Sequence, residues 1–153
     1  MIVYEEVEAH GHPNIQAKHR TTIEITKDEE VTLRGDCIIG VKANKSVYDL
    51  SDSFKNSLKT DYSILVIVLE TNNYREIILA QGSCNLVLGD NRRIIIRKSN
   101  YIEPATIGIK ANKAAHDLDR KLVKELKDPG TILKIKLYVI NSLELDKLVE
   151  FYT

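Results

Sequence analysis

The sequence predicts an α+β protein, mostly β, made of two β-β-β-α-β units that form a pseudo-twofold sandwich or closed barrel. Three observations predict it. The stretch Ile39-Gly40-Val41-Lys42-Ala43-Asn44-Lys45 returns as Ile107-Gly108-Ile109-Lys110-Ala111-Asn112-Lys113, 68 positions later. Residues 39–69 and 107–137 share 14 identities in 31 positions, too many for chance, so an internal duplication is expected. Each copy also holds several short β-branched or alternating runs and one segment with helical spacing. The expected organisation is a single domain over 1–153, with units 1–70 and 71–140 and a short C-terminal helix over 142–151.

Taken in order, Val3–Ala9 alternates apolar and polar residues, the period of a half-buried strand. Gly11-His12-Pro13-Asn14 ends it with turn formers and a missing donor. Thr21–Thr26 is β-branched except at Glu24 and reads as the next strand; Cys37–Val41 reads as the third. Asn44 reads as the N-cap of a helix reaching about Lys59, with Val47, Leu50, Phe54 and Leu58 on its inner face. Tyr62–Glu70 is a buried strand. The second copy repeats the order: Tyr74–Gln81, Arg93–Lys98 and Ile107–Lys110 as strands, then a helix over Lys113–Lys127 capped by Asn112, then Thr131–Ile140. The helix is stopped by Asp128-Pro129-Gly130. Connections within each unit read as hairpin-like. The early strands match at an offset of 71 and the later elements at 68, so the first copy carries three extra residues around Leu33–Cys37. Lys134 and Lys136 stand where Val66 and Val68 stand, which predicts one wet face for the last strand and cover on both faces for its counterpart.

Composition bounds the function. The 153 residues are 43% hydrophobic and 29% charged, which is globular rather than disordered. The formal net charge is zero, so a basic nucleic-acid grip, if present, has to be local. Two cysteines are too few for a disulfide scaffold. No apolar run is long enough to span a bilayer and the N-terminus lacks a signal-peptide pattern, so a soluble cytoplasmic protein with no membrane partner is expected.

The candidate chemistry lies where the copies differ and where they agree. Three of the four histidines fall in His10-Gly11-His12 and His19-Arg20 of the first copy. With Asp36 or Cys37 from the insertion, His12 and His19 could ligate zinc or a similar metal, whose usual donors are imidazole, carboxylate and thiolate. The same residues suit acid–base work, and Cys37 could serve as a nucleophile if a base activates it. The element present in both copies points elsewhere. Lys45 and Lys113 sit at expected helix starts, where free N–H groups favour an anion and lysine reinforces them. A nucleotide, a phosphometabolite or RNA would suit such a site. The bland alternative is that these lysines pair with Asp49 and Asp117.

The residues also carry a resemblance. Gly11-His12-Pro13-Asn14, then His19-Arg20-Thr21-Thr22 with Glu24, Thr26 and Lys27, then Gly35-Asp36-Cys37-Ile38 with Gly40 and Val41, resemble an archaeal family catalogued only as a domain of unknown function. Arg97-Lys98-Ser99 and Lys113-Ala114-Ala115 with Asp117 extend the likeness over essentially the whole chain. The resemblance implies a cytosolic archaeal protein with a β-rich, sandwich-like fold, and it implies no activity. His10 and Cys84 lie outside its motifs.

The leading expectation is a binding module for a phosphate-bearing ligand or nucleic acid, built from His12, Asn14, His19, Arg20, Asp36, Lys45 and Lys113. The alternatives are a small metal-assisted hydrolase using His12, His19 and Asp36, and a scaffold or homo-oligomeric interaction protein.

Overall fold

A computed structural model describes residues 2–141 and Glu150. Eight strands, β1 (Val3–His10), β2 (Thr22–Thr26), β3 (Ile38–Gly40), β4 (Ile64–Glu70), β5 (Arg75–Gln81), β6 (Arg93–Arg97), β7 (Thr106–Gly108) and β8 (Ile132–Ile140), make two four-stranded sheets. The first has the order β1-β8-β4-β5 and is antiparallel throughout. The second has the order β3-β2-β6-β7, with an antiparallel centre and parallel outer pairs. The two sheets face one another over a shared core, so the architecture is a sandwich and not a closed barrel.

Period-2 patterning explains the layers. Val7, Leu65, Ile67, Leu69, Ile78 and Leu137 point inward from the first sheet, and Ile23, Ile39, Ile94, Ile96 and Ile107 answer from the second; all are fully buried. Burying each such side chain stabilises the fold by roughly 1.5–3 kcal/mol. At the centre of each sheet, corresponding positions of the two halves pair: Val68 opposite Lys136, and Glu24 opposite Ile95. Solvent reaches the last strand where expected, since Lys134 is exposed, but its counterpart is only partly covered, with Val68 buried and Val66 half-buried.

Two expectations need correction. The hairpin-like connections within each unit are absent: β2 and β3 pair in parallel, as do β6 and β7. Successive strands pair directly, as antiparallel neighbours, only at β4–β5. The connections β1–β2, β3–β4, β5–β6 and β7–β8 cross between the sheets, which lets each sheet take strands from both halves. The single long helix of each half is also broken in two. A 3-10 turn at Val47–Asp49 precedes α1 (Asp52–Leu58), and one at Ala115–Asp117 precedes α2 (Arg120–Leu126). Leu50 and Leu118 are extended between the pieces. Their side chains still face inward, as do Val47, Phe54, Leu58, Ala115, Leu122 and Leu126, so the spacing identified the buried face and not the helical continuity. The N-caps are Ser51, which accepts from Phe54 N–H, and Asp119, which accepts from Lys121 N–H. Asn44 and Asn112 are not caps. Their Oδ1 atoms accept the N–H of Glu8 and of Leu79, both at 2.9 Å, and so pin the edge strands β1 and β5. The C-terminal helix expected over 142–151 falls outside the described residues, Glu150 apart.

Candidate functional site

The lysines of the matching segments are engaged with the protein itself. Lys45 Nζ lies 3.0 Å from Glu5 Oε1, and Lys113 Nζ lies 3.3 Å from Glu76 Oε1. The other carboxylate oxygen of Glu5 accepts Ser51 N–H at 2.6 Å, and that of Glu76 accepts Asp119 N–H at 2.9 Å. An edge-strand carboxylate therefore already holds the helix start and neutralises the lysine in each half. Asp49 and Asp117 are not the partners of these lysines. Asp49 pairs with Lys27 at 2.6 Å and Asp117 with Lys98 at 2.7 Å.

The histidine loop is tied down residue by residue. His12 Nδ1 accepts Asn14 N–H, and Nε2 donates to Glu30 at 3.0 Å. Asn14 Nδ2 donates to Val31 O at 2.9 Å. His12 and Asn14 thus lace the loop after β1 to the loop after β2. His19 Nδ1 accepts Thr21 N–H at 3.2 Å, and its carbonyl accepts His116 N–H at 3.0 Å. Asp36 contributes its backbone: its carbonyl accepts the N–H groups of Lys18 and His19. Arg20 is exposed and has no carboxylate partner among the described residues.

Among the described residues no three His, Cys, Asp or Glu side chains are grouped to hold a metal, so His12, His19, Asp36 and Cys37 do not converge as a ligand set. Burial pushes the Cys37 thiol up to about 11, with Glu24 and Asp36 adding to it, which removes the thiolate that a nucleophile needs. Cys84 is exposed, and its thiol donates to Asp61 at 3.3 Å, which raises its pKa as well.

What the loop does build is a groove. Gly11 and His12 run along the end of α2, with Gly11 N–H donating to Thr131 O and His12 N–H to Leu126 O. A Cβ on Gly11 would sit 2.1 Å from Asp128 O, so only glycine permits this approach. Beyond it, Gln16 and Lys18 face Arg120, Val123, Lys124 and Lys127 of α2 and its C-cap across a groove of about 420 Å³. Arg120 is fixed by carbonyls: its guanidinium donates to Ala17 O at 3.0 Å, Ala115 O at 2.9 Å and Leu118 O at 3.0 Å. Lys127 Nζ donates to Ile15 O at 2.6 Å. Lys18 and Lys124 are exposed and have no carboxylate partner among the described residues. Carbonyl oxygens orient a cation without cancelling its charge, so among the described residues four cations line the groove and no acid does. Glu125, on the same helix, is turned away to Asn73 Nδ2. His19 and Arg20 continue the chain at the Lys18 end.

Lys18, Arg120, Lys124 and Lys127 were missed from sequence. A signal existed: Arg120, Lys124 and Lys127 recur at i, i+4 and i+7, one face of a helix. Their meeting with Lys18 depends on a contact between halves that no spacing reveals. A second surface feature is the outer face of the first sheet, where Tyr4, Ile77 and Leu79 are 44–47% exposed. No helix among the described residues is long and apolar enough to cross a membrane.

Comparison with known proteins gives a family and assigns no activity. An uncharacterized protein of Methanocaldococcus jannaschii is 43% identical over 133 residues, covering 87% of this chain and 97% of its own. The family model described as "Domain of unknown function (DUF371)" matches residues 7–140, which takes in every strand from β2 to β8, half of β1 and all of the groove. The chain belongs to that family.

Proposed function

We propose that this chain is a binding module for a phosphate-bearing ligand, held in the groove between Gln16–Lys18 and α2. One observation carries the reading: Lys18, Arg120, Lys124 and Lys127 line a groove that contains no carboxylate among the described residues. Uncompensated charge at a concave surface concentrates anions there. Phosphate is the anion best served by a fixed guanidinium beside mobile ammonium groups. His19 and Arg20 keep their place at the rim. His12, Asn14 and Asp36 become supports of the loop, while Lys45 and Lys113 become parts of the scaffold.

A thermal-shift titration with inorganic pyrophosphate and nucleoside triphosphates tests the reading. A ligand at a hundred times its dissociation constant adds about 2.7 kcal/mol to stability. The shift is expected in wild type and absent in Lys18→Glu/Lys124→Glu, two exposed positions whose change leaves the fold intact. No shift with any phosphate compound would sink the reading.

Two finer readings accompany it. Units 1–70 and 71–140 read as an internal repeat, on the 14 identities and on the recurrence of the Asn44, Lys45 and Glu5 contacts at Asn112, Lys113 and Glu76. Two free cysteines suit the cytoplasm. The exposed Tyr4, Ile77 and Leu79 favour self-association as a second role. Leu79→Glu in sedimentation velocity tests that role, and a wild type that stays monomeric at high concentration would end it.

A further inference from the structure

We infer that the groove takes the phosphodiester backbone of a nucleic-acid strand and reads its charge, not its bases. The inference rests on the phosphate-binding reading above and specifies its ligand class. The cations are spread along a line rather than gathered at a point. Arg120 and Lys127 lie seven residues apart on and just beyond α2, a rise of about 10 Å. A rise of that size reaches past one phosphate to the next along a strand, which carries a charge at every nucleotide. Lys18 faces the line from the opposite wall, and Arg20 extends the positive charge beyond it, exposed and without a carboxylate partner among the described residues. A mononucleotide concentrates its charge on one phosphoryl chain and would leave part of this line unused.

The lining also lacks what base recognition needs. Among the described residues it has no aromatic side chain for stacking, and Gln16 is the one side chain there able to both donate and accept at a base edge. Val123 and the lysine stems give only an apolar floor. Two of the cations are already ordered by carbonyls, Arg120 by Ala17 and Ala115 and Lys127 by Ile15, so less freedom is lost on binding. A zero net charge is compatible with this, because the acids sit elsewhere and weaken only long-range attraction.

Fluorescence anisotropy with labelled 20-nucleotide RNA and DNA strands, competed by inorganic pyrophosphate and ATP, tests the inference. The expected result is binding within a few-fold for homopolymers of different base. The salt slope should lie near −3, at about 0.7 for each of four cations. Lys18→Glu/Lys124→Glu should weaken binding more than tenfold and flatten the slope. Lys59→Glu, at the position of α1 that corresponds to Lys127, should change nothing. The RNA and DNA arms tell whether the 2′-hydroxyl contributes. A strong preference for one base, or strands bound no better than pyrophosphate, would overturn the inference while the phosphate-binding reading stood. Failure of strands and pyrophosphate alike would remove both.

Discussion

Two loop-on-helix junctions on this molecule share one backbone plan. In one, the loop after β1 rests on α2; in the other, the loop after β5 rests on α1. The backbone contacts match. Gly11 N–H donates to Thr131 O and His12 N–H to Leu126 O, while Gly82 N–H donates to Ser63 O and Ser83 N–H to Leu58 O. Ala17 and Leu88 both take left-handed backbone at φ near 50°. The side chains diverge. Where the first junction has Lys18, Arg120, Lys124 and Lys127, the positions 68 or 71 away hold Gly89, Asp52, Asn56 and Lys59. Lys55 is oriented by Tyr48 O at 2.8 Å and keeps its charge, but on this side Asp52 puts an acid on the same helix. Contacts common to both junctions belong to the fold. Charge present in one only, with no acid beside it among the described residues, is what the proposed ligand would use.

The comparison breaks most visibly at the glycines. A Cβ on Gly82 would lie 2.2 Å from Leu58 O, much as one on Gly11 would lie 2.1 Å from Asp128 O. Both neighbours are backbone and cannot swing aside. Gly11→Ala and Gly82→Ala are each expected to cost about 3 kcal/mol, the upper range for overpacking, by urea midpoint. Nearly equal costs would support structural equivalence of the junctions; a tolerated alanine in one would break it. A smaller, unequal pair comes next. Arg120→Met strips donors from Ala17 O, Ala115 O and Leu118 O and is expected to cost about 2 kcal/mol. Asp52→Ala, at the corresponding position, loses only a favourable charge in the first turn of α1, about 0.5 kcal/mol. Equal costs would mean that Arg120 is not the keystone of the cationic wall.

These pairs also mark what the sequence could reveal. Strands were legible because Ile23 and Ile25 alternate with Thr22, Glu24 and Thr26, and because Arg93–Arg97 is a short β-branched run at the matching place in the second copy; such patterns survive any topology. The helix starts were misread because Asn44 and Asn112 are good caps by type, yet their oxygens serve β1 and β5, distant in sequence. Lysine at a helix start suggested an anion; the anion was Glu5 or Glu76, 40 and 37 residues away. The groove escaped for the same reason. Gln16 and Lys18 meet α2 about a hundred residues later, through a crossing of halves that local pattern does not encode.

The smallest effect separates the halves by a single hydroxyl. Asp49 is held down to about 2, first by the Lys27 ammonium and then by Ser46 N–H. Asp117 is lowered too, first by the Lys98 ammonium and then by Ala114 N–H. Ser46 Oγ also donates to Asp49 at 3.0 Å, which Ala114 cannot do for Asp117. A depressed carboxylate stabilises the fold above its unfolded pKa, near 3.9, and that contribution is lost as pH falls through the folded value. Acid should therefore begin to weaken both halves below about pH 4, with the Asp49 contribution declining until about pH 2. Ser46→Ala should raise the Asp49 titration midpoint and move the onset of acid unfolding to higher pH. Ala114→Ser should lower the midpoint of Asp117, since Ser46 already fits the corresponding buried place. Carboxyl-carbon NMR titration reads both midpoints. A Ser46→Ala variant whose Asp49 midpoint did not move would show that the ammonium and backbone N–H alone set it.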